Sequence, residues 1–326
     1  MSKIAASCSA LLEAYRSKRQ PIYEVEKLKF QGTGTRDVYN ITAPFSCGSK
    51  TLIAGRVEAR VSEASTLCFF EKTGQIWQLM SDVPALHLQD PAITQIGGQL
   101  ILGGVEVLTI SEGRVNWRTV LYKGEAPDHL RRFFVGPKGM KDIRLHELPD
   151  GKILVLTRPQ GKRGGRGKIG YLLLSSLDEL DRQELDDAPL LDGYFIEEDW
   201  GGANEIHSLK NDWVGVLGHI AYFDDARNRH YYSMVFALNP ETGEHTPIEI
   251  IATRADFLDG PSKRPDLKDV VFSGGAVREQ GKLILYVGTS DTEAQKILLD
   301  DPFEKYEQQN VADIPSTAPE ESVSQT

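Results

Sequence analysis

One phrase recurs along the chain and constrains its fold more than any other feature: a turn or polar lead followed by a short apolar strand. It is read in "KTLIAGRVE", "GQLILGGVEV", "DGKILVLTRP", "NDWVGVLGHIA" and "GKLILYVGTSD". The apolar centres lie near Ile53, Ile101, Leu154, Val214 and Ile284, at intervals of about 48 to 70 residues. Further strand-like runs, "TLCFFEK", "IWQLM", "KIGYLLLSS" and "YYSMVFALN", lie between them and are separated by Gly, Asp, Asn and Pro. Convincing long helices are missing, and "SSLDELDRQ" is the best internal candidate. Five copies at such intervals, with several strands each, predict an all-β chain: a five-bladed β-propeller with a central funnel, over residues 23–303. Residues 1–22 form an extension whose start, "MSKIAASCSALLEAYRSKRQP", reads as a short amphipathic helix. Residues 304–326 are polar, acidic and rich in Pro, Ser and Thr, so a disordered tail is expected there.

Composition narrows the partners. A formal charge of -10 argues against a nucleic-acid binder, which would present a basic face. Three cysteines, Cys8, Cys47 and Cys68, are too few and odd in number for a disulfide framework. They suit a reducing compartment, so a cytoplasmic protein is expected. No apolar run approaches the length that spans a bilayer. Neither HExxH, a CxxC pair, a nucleotide-binding glycine fingerprint nor a GxSxG elbow is present, so neither a metal nor a cofactor is implied.

In a propeller the inner strands converge, and polar residues at one end of them share a funnel. That would join Arg56, Asp90, Arg158, His219 and Asp291. Asp90 precedes Pro91 at the mouth of an apolar hairpin. Proline disfavours the helical conformation for the preceding residue, so Asp90 is expected to be extended and aimed; the plainer reading is a loop-entry pair. Lys141, Asp142 and Arg144 alternate with Ile143 and Leu145, which puts the charges on one strand face. Arg144 and Arg158 at neighbouring strand ends could grip a tetrahedral oxyanion with their guanidinium forks, or simply pair with Asp142 and Glu147. "GKRGGRGK" has the composition of a phosphate loop without its spacing and reads as a solvated hairpin tip. Trp200, beside paired glycines, is either a sugar-stacking platform or a core tryptophan. His219 ends an apolar strand, either as a hydrogen-bonded structural residue or as an anion donor that works best protonated. "SKRPDLKDVVFSGGAV" offers Lys263 and Arg264.

Taken in order, "DVYNITAPF", "IAGRVEAR", "LQDPAI", "GPKGMKDIRL", "TRPQG", "WGGANEIH", "GVLGHIAYF", "KRPDLKDVVFSGG" and "LYVGTSDTEAQKI" resemble the β-1,2-mannan mannosyltransferase/phosphorylases, glycosyltransferase family 108. That family, formerly a domain of unknown function, is similar to the family 130 glycoside phosphorylases, which are five-bladed propellers. The likeness runs from about Asp37 to Ile297.

The resemblance implies an inverting phosphorylase or mannosyltransferase that moves mannose reversibly between β-1,2-mannooligosaccharides and inorganic phosphate, through mannose-1-phosphate. Some relatives use GDP-mannose instead. In the related phosphorylases an "EDPR" motif carries the single catalytic Asp, so "QDPA" makes Asp90 the general acid/base. That acid protonates the glycosidic oxygen through the sugar's 3-hydroxyl while phosphate attacks C1. Ala92 departs from the family 130 arginine and favours the family 108 branch. The resemblance implies phosphate binding by Arg144, Arg158 and His219, with Lys263, Arg264 and Tyr231 as additions, although Tyr232 leaves the last ambiguous by one residue. Asn40, Arg56, Asp142, Glu205 and Asp291, with Trp200 as the stacking candidate, are implied at the mannose subsites. Two rival readings remain: a β-mannoside hydrolase on the same scaffold, with Glu205 activating water, and a non-catalytic glycan-binding propeller.

Overall fold

The computed structural model describes residues 5–109 and 115–308. Its elements run in chain order. Helix α1 (Cys8–Ser17) starts on Ser7, whose side chain accepts from the Ala10 amide. It is followed by β1 (Ile22–Lys27), β2 (Lys29–Gln31), β3 (Asp37–Tyr39), β4 (Phe45–Cys47), β5 (Lys50–Glu58), β6 (Thr66–Thr73) and β7 (Ile76–Leu79). Then come β8 (Gln89–Ile96), β9 (Gln99–Thr109), β10 (Val115–Gly124) and β11 (Arg131–Val135). The third group is β12 (Arg144–Glu147), β13 (Ile153–Thr157), the single turn α2 (Gly161–Gly164), β14 (Gly170–Leu174) and α3 (Arg182–Asp187). The fourth is β15 (Trp200–Ser208), β16 (Val214–Phe223), β17 (Arg229–Leu238) and β18 (Glu249–Ala252). The fifth is β19 (Asp269–Glu279), β20 (Lys282–Thr289) and β21 (Glu293–Asp300), with α4 (Glu304–Gln308) behind it.

Each group is an antiparallel meander joined by short turns. The five recurring phrases all fall in the second long strand of a meander: β5, β9, β13, β16 and β20. These strands read as nearly unbroken apolar runs because both their faces are covered; all five residues of β13 are buried. The last meander is completed by β1, which pairs antiparallel with β21 and so ties the two ends of the chain together.

Parallel pairing of β17 with β19 joins the fourth and fifth meanders in one sheet, and five apolar clusters lie between the meanders. Leu67, Leu88 and Leu102 join the first to the second, and Ile101, Ile143 and Val155 the second to the third. Leu156, Ala203 and Met234 join the third to the fourth, and Leu217, Val271 and Leu285 the fourth to the fifth. Ile53, Phe70 and Tyr286 join the fifth to the first. Leading strands of neighbouring meanders touch as well: β8 on β12, β12 on β15, and β15 on β19.

Two sequence expectations change. The segment "SSLDELDRQ" divides into a 3-10 turn at Leu177–Glu179 and the start of α3, where Asp181 caps the amides of Gln183 and Glu184. The disordered tail does not begin at 304. Glu304–Gln308 is helical, and Tyr306 is buried, donating to Glu249 at 3.1 Å while its carbonyl accepts from Asn211 at 2.8 Å. An aromatic side chain with a core slot and two polar partners holds this turn, despite the polar composition around it. Residues 309–326 lie outside the described residues. Among the described residues, no helix is long and apolar enough to cross a membrane.

Candidate active site

Strand β5 ends in Gly-Arg-Val-Glu. The two-residue period of a strand therefore points Arg56 and Glu58 to one side, and both are buried. Arg56 donates to Glu58 from Nε at 3.2 Å and from Nη2 at 2.8 Å, and to Asp90 Oδ1 from Nη1 at 3.3 Å. Its guanidinium stacks 4.9 Å from the centre of the Tyr39 ring. Glu58 also accepts from the Tyr39 hydroxyl at 3.1 Å, from Ser65 and from the Lys263 ammonium. Burial alone would lift the Glu58 carboxyl, but Arg56, Lys263 and Ser65 outweigh it and hold the group below the ordinary glutamate range. Asn40 Nδ2 donates to Asp90 Oδ1 at 2.8 Å.

Asp90 is buried, at φ +49°, where the pairing of β8 with β9 slips between Gln89 and Ala92. This corrects the expectation of an extended residue. Proline does keep Asp90 out of the right-handed helical region, but the bulge carries it into the left-handed region, which Asp tolerates better than most residues. Asn40 (φ 44°), Asp142 (φ 63°) and Asp291 (φ 54°) share that conformation. Of the eight such non-glycine residues among the described residues, four are therefore predicted site residues. Each carries strain of order 1–3 kcal/mol, a pattern associated with functional sites. Asp291 is partly buried beside this group. Burial, aided by Asp90 and Glu58, raises its carboxyl above the usual value against the pull of Arg56 and Lys263.

A second cluster forms around Asp142, which sits just ahead of β12 and not within it. The alternation expected from Lys141 onward starts only at Arg144, because the left-handed turn at Asp142 precedes the strand. Asp142 nevertheless meets both arginines, accepting from Arg144 Nη2 at 3.3 Å and from Arg158 Nη1 at 2.8 Å. Burial would raise its carboxyl, but Arg158 and Arg144 outweigh it and hold it below the usual carboxylate range. Arg144 Nε is anchored on the Asn204 carbonyl at 2.8 Å, and Arg158 Nε on the Gly201 carbonyl at 2.7 Å. Glycine is required around Arg158. A Cβ at Gly202 would stand 2.7 Å from its Cδ, and one at Gly167 2.6 Å from its Nε. The "GKRGGRGK" loop thus packs on this arginine, and Arg166 from the same loop stacks on Trp200 and Phe223.

His219 completes the cluster. It is 1 % exposed, with Tyr231 stacked on its ring at 5.5 Å, Phe272 at 5.4 Å, and Nδ1 2.8 Å from Asn204 Oδ1. Burial, together with the charge of Arg158, holds its pKa well below the ordinary histidine value. Burial thus favours the neutral ring over the protonated form in which an anion donor was expected to work best. Tyr231 lies against His219, whereas Tyr232 points to Asp269 at 2.9 Å, so of the two tyrosines Tyr231 belongs to this cluster.

Several predicted residues fall elsewhere. Trp200 is buried, with Phe223 at 4.8 Å and Arg166 at 5.3 Å over its ring, and Nε1 donates to the Tyr231 hydroxyl at 3.0 Å. It is a core tryptophan supporting Tyr231, because its strand position packs it between neighbours, and not an open stacking platform. Lys263 and Arg264 do not join the arginine pair. The Lys263 amide bonds the Ser290 carbonyl at 3.0 Å, which brings its side chain to Glu58 and Glu63 on the Arg56 side. Arg264 is exposed and paired with Glu63 and Asp266. Glu205 accepts from the Ala276 amide at 2.6 Å through Oε2, which also lies 2.9 Å from His207 Nε2. With Ala92, Arg144 and Asn204 it lines a cavity.

Glu58 and Asn204 were not singled out from the sequence. The first was visible as the residue two beyond Arg56; the second owes its position to a register slip in β15 that no local pattern announces.

The family model described as a protein of unknown function (DUF1861) matches residues 14–305. No curated protein matches the chain. Among solved structures, MPT-4, a mannose phosphorylase from Leishmania mexicana in complex with a phosphate ion, is 33% identical with a TM-score of 0.84, over 91% of this chain and 94% of that one. MPT-1, a GDP-Man-dependent mannosyltransferase from the same organism, is also 33% identical, with a TM-score of 0.83 over 91% and 95%. The β-1,2-mannobiose phosphorylase of Listeria innocua shares the fold at 16% identity and a TM-score of 0.60, over 88% and 94%. The chain therefore belongs to the DUF1861 family, the glycosyltransferase family 108 mannosyltransferases and phosphorylases whose motifs it carries in order, and is an enzyme of that kind.

Proposed function

We propose that the protein is an inverting β-1,2-mannoside phosphorylase on a five-bladed propeller. It transfers mannose reversibly between β-1,2-mannooligosaccharides and inorganic phosphate. The observation that carries this reading is the imbalance of the Asp142 cluster: two buried guanidiniums face one carboxylate, beside a neutral His219. An anion supplies the missing negative charge, and paired guanidinium donors suit a phosphate.

In this reading Arg144, Arg158, His219 and Tyr231 hold phosphate, while Asn40, Arg56, Asp142 and Asp291 receive the hydroxyls of mannose. Asp90 is the acid/base. A phosphate oxygen forms a bond to C1 as the C1–O bond to the leaving sugar breaks. The proton of Asp90 passes to that leaving oxygen by way of the 3-hydroxyl, and synthesis runs the same steps backwards. Phosphate is the nucleophile, so no second carboxylate is needed to activate water. The hydrolase reading loses support on a separate ground: Oε2 of Glu205, its candidate base, is engaged by the Ala276 amide. Similarity does not choose the donor, since MPT-4 and MPT-1 are equally identical to the chain. The anion cluster favours mannose-1-phosphate, with GDP-mannose the donor to assay beside it. Three free cysteines agree with a cytoplasmic location.

The test is phosphate release from mannose-1-phosphate and mannose. Wild type should release phosphate and form a β-1,2-linked disaccharide. Asp90→Asn should lose about 10²–10⁴-fold in turnover. Equal release by both proteins would remove Asp90 from the role, and GDP release from GDP-mannose with no phosphate release from mannose-1-phosphate would replace the phosphorylase by a transferase.

A further inference from the structure

The pairing of β15 with β16 passes from Ala203 opposite Gly218 to Glu205 opposite Leu217, so Asn204 is the extra residue of a bulge. A bulge turns consecutive side chains towards the same side. Here it sends Asn204 inward next to Glu205, where both line the central cavity. Asn204 then links two members of the anion cluster, its carbonyl holding Arg144 and its side-chain amide meeting His219 Nδ1.

The amide carries an unsettled account of protons. A neutral imidazole has one N–H, on either Nδ1 or Nε2. With Oδ1 towards the ring, Nδ1 must hold that proton, Nε2 offers only a lone pair, and Asn204 Nδ2 is buried with no partner among the described residues. A half-turn of the amide exchanges its oxygen and nitrogen at nearly the same positions. Nδ2 then donates to Nδ1, the orphaned donor is satisfied, and the ring proton moves to Nε2. We propose that Asn204 is a positioning residue that fixes His219 as the Nε2–H tautomer, a neutral donor to the anion that Arg144 and Arg158 hold. This deepens the phosphorylase reading and rests on it for the identity of the anion, phosphate. The ring is kept in place by Tyr231 and Phe272, so the amide has only the tautomer left to decide.

Ring ¹⁵N resonances of the wild-type protein with phosphate present read the tautomer directly, His219 being identified by the signals missing from His219→Gln. A protonated Nε2 with a bare Nδ1 is expected, and a protonated Nδ1 would overturn the proposal. In Asn204→Leu the KM for phosphate should rise about tenfold, the loss of one hydrogen bond, with kcat and the KM for the mannoside nearly unchanged. An equal rise in both KM values would assign Asn204 a merely structural part. The spectrum needs no variant of Asn204 and no turnover. It is read even if Asn204→Leu fails to fold, and absence of phosphorolysis would count against the parent reading, not against the tautomer.

Discussion

The two halves of the site use the same residue types in opposite proportion. Around Asp142, Arg144 and Arg158 outnumber the single carboxylate two to one. Around Arg56, two cations, Arg56 and Lys263, meet four carboxyls, Glu58, Glu63, Asp90 and Asp291. The consequence shows in protonation. Asp142 is held ionised by its arginines against its burial, whereas Asp291 is raised by burial, aided by Asp90 and Glu58. Burial is common to both halves, so the charge ratio, more than desolvation, separates them. One half is short of an anion and the other is rich in carboxyl groups, the division that the proposed displacement by phosphate would use. The halves are also coupled, since Asp90 bears on Arg144 electrostatically.

The largest expected effect comes from breaking the cation-rich half. Arg158→Ala leaves Asp142 buried with half its compensation, and losing one partner of a buried pair costs about 3–5 kcal/mol. A marked fall in melting temperature is expected, together with a rise of more than about 100-fold in the KM for phosphate. The double variant Arg158→Met with Asp142→Asn removes the stranded charge. It should recover part of the stability, since buried Arg144 in turn loses its carboxylate partner, and none of the phosphate affinity. If both recover, the arginine serves the fold alone and the comparison collapses.

A smaller effect should follow from Glu58→Gln, which loosens the clasp on Arg56 and Lys263 without touching the other half. The KM for the mannoside should rise about tenfold, the KM for phosphate less than about twofold, as for loss of a charge-assisted hydrogen bond on one side only. Comparable changes in both would merge the two halves into one. The pH dependence sharpens the point. Because the folded-state pKa of Glu58 is lowered, its contribution to stability is complete above its ordinary 4.5 and is lost as pH falls below that value through the folded one. Wild type should therefore lose more stability than Glu58→Gln on acidification in that window, as followed by thermal melting.

The sequence made one of these halves easier to read than the other. His219, expected at a strand end, lies inside β16, which runs on to Phe223, whereas Arg158 follows β13 and Arg144 opens β12, strand ends that a repeated meander brings together. Arg56 and Asp291 were legible for the same reason. Lys263 and Arg264 were misplaced because their segment is a turn, Pro265–Leu267, whose direction is set by the Lys263 amide bonding to Ser290 and not by any periodicity. Trp200 was ambiguous between surface and core, since glycines beside an aromatic residue occur in both settings. Its neighbours Phe223 and Arg166 come from distant segments and decide the matter. Asp90 shows the limit of a local rule. The proline effect predicted a direction for its backbone, but the slip in β8 overrode it and supplied a different conformation.

Asp199 provides a control outside both halves: a buried carboxyl with no cation bonded to it among the described residues. It accepts from the Cys8 amide at the start of α1 at 2.6 Å, and burial, with a smaller contribution from Glu198, pushes its pKa up to about 6. It behaves as Asp142 would without arginines. For a carboxyl raised in this way, folding is favoured while the group is protonated. That advantage is present below about pH 3.8 and is lost as pH rises through about 6. Asp199→Asn keeps an acceptor for the Cys8 amide and removes the charge. The variant should melt a few degrees above wild type at pH 8 and match it near pH 4, a shift of the size expected for about 1 kcal/mol in a domain this large. Circular dichroism melts at the two pH values measure it. A variant less stable than wild type at pH 8 would mean that the ionised carboxylate is the favoured cap of α1. Burial alone would then not raise a carboxyl here, and the contrast drawn between Asp142 and Asp291 would need a cause other than their neighbours.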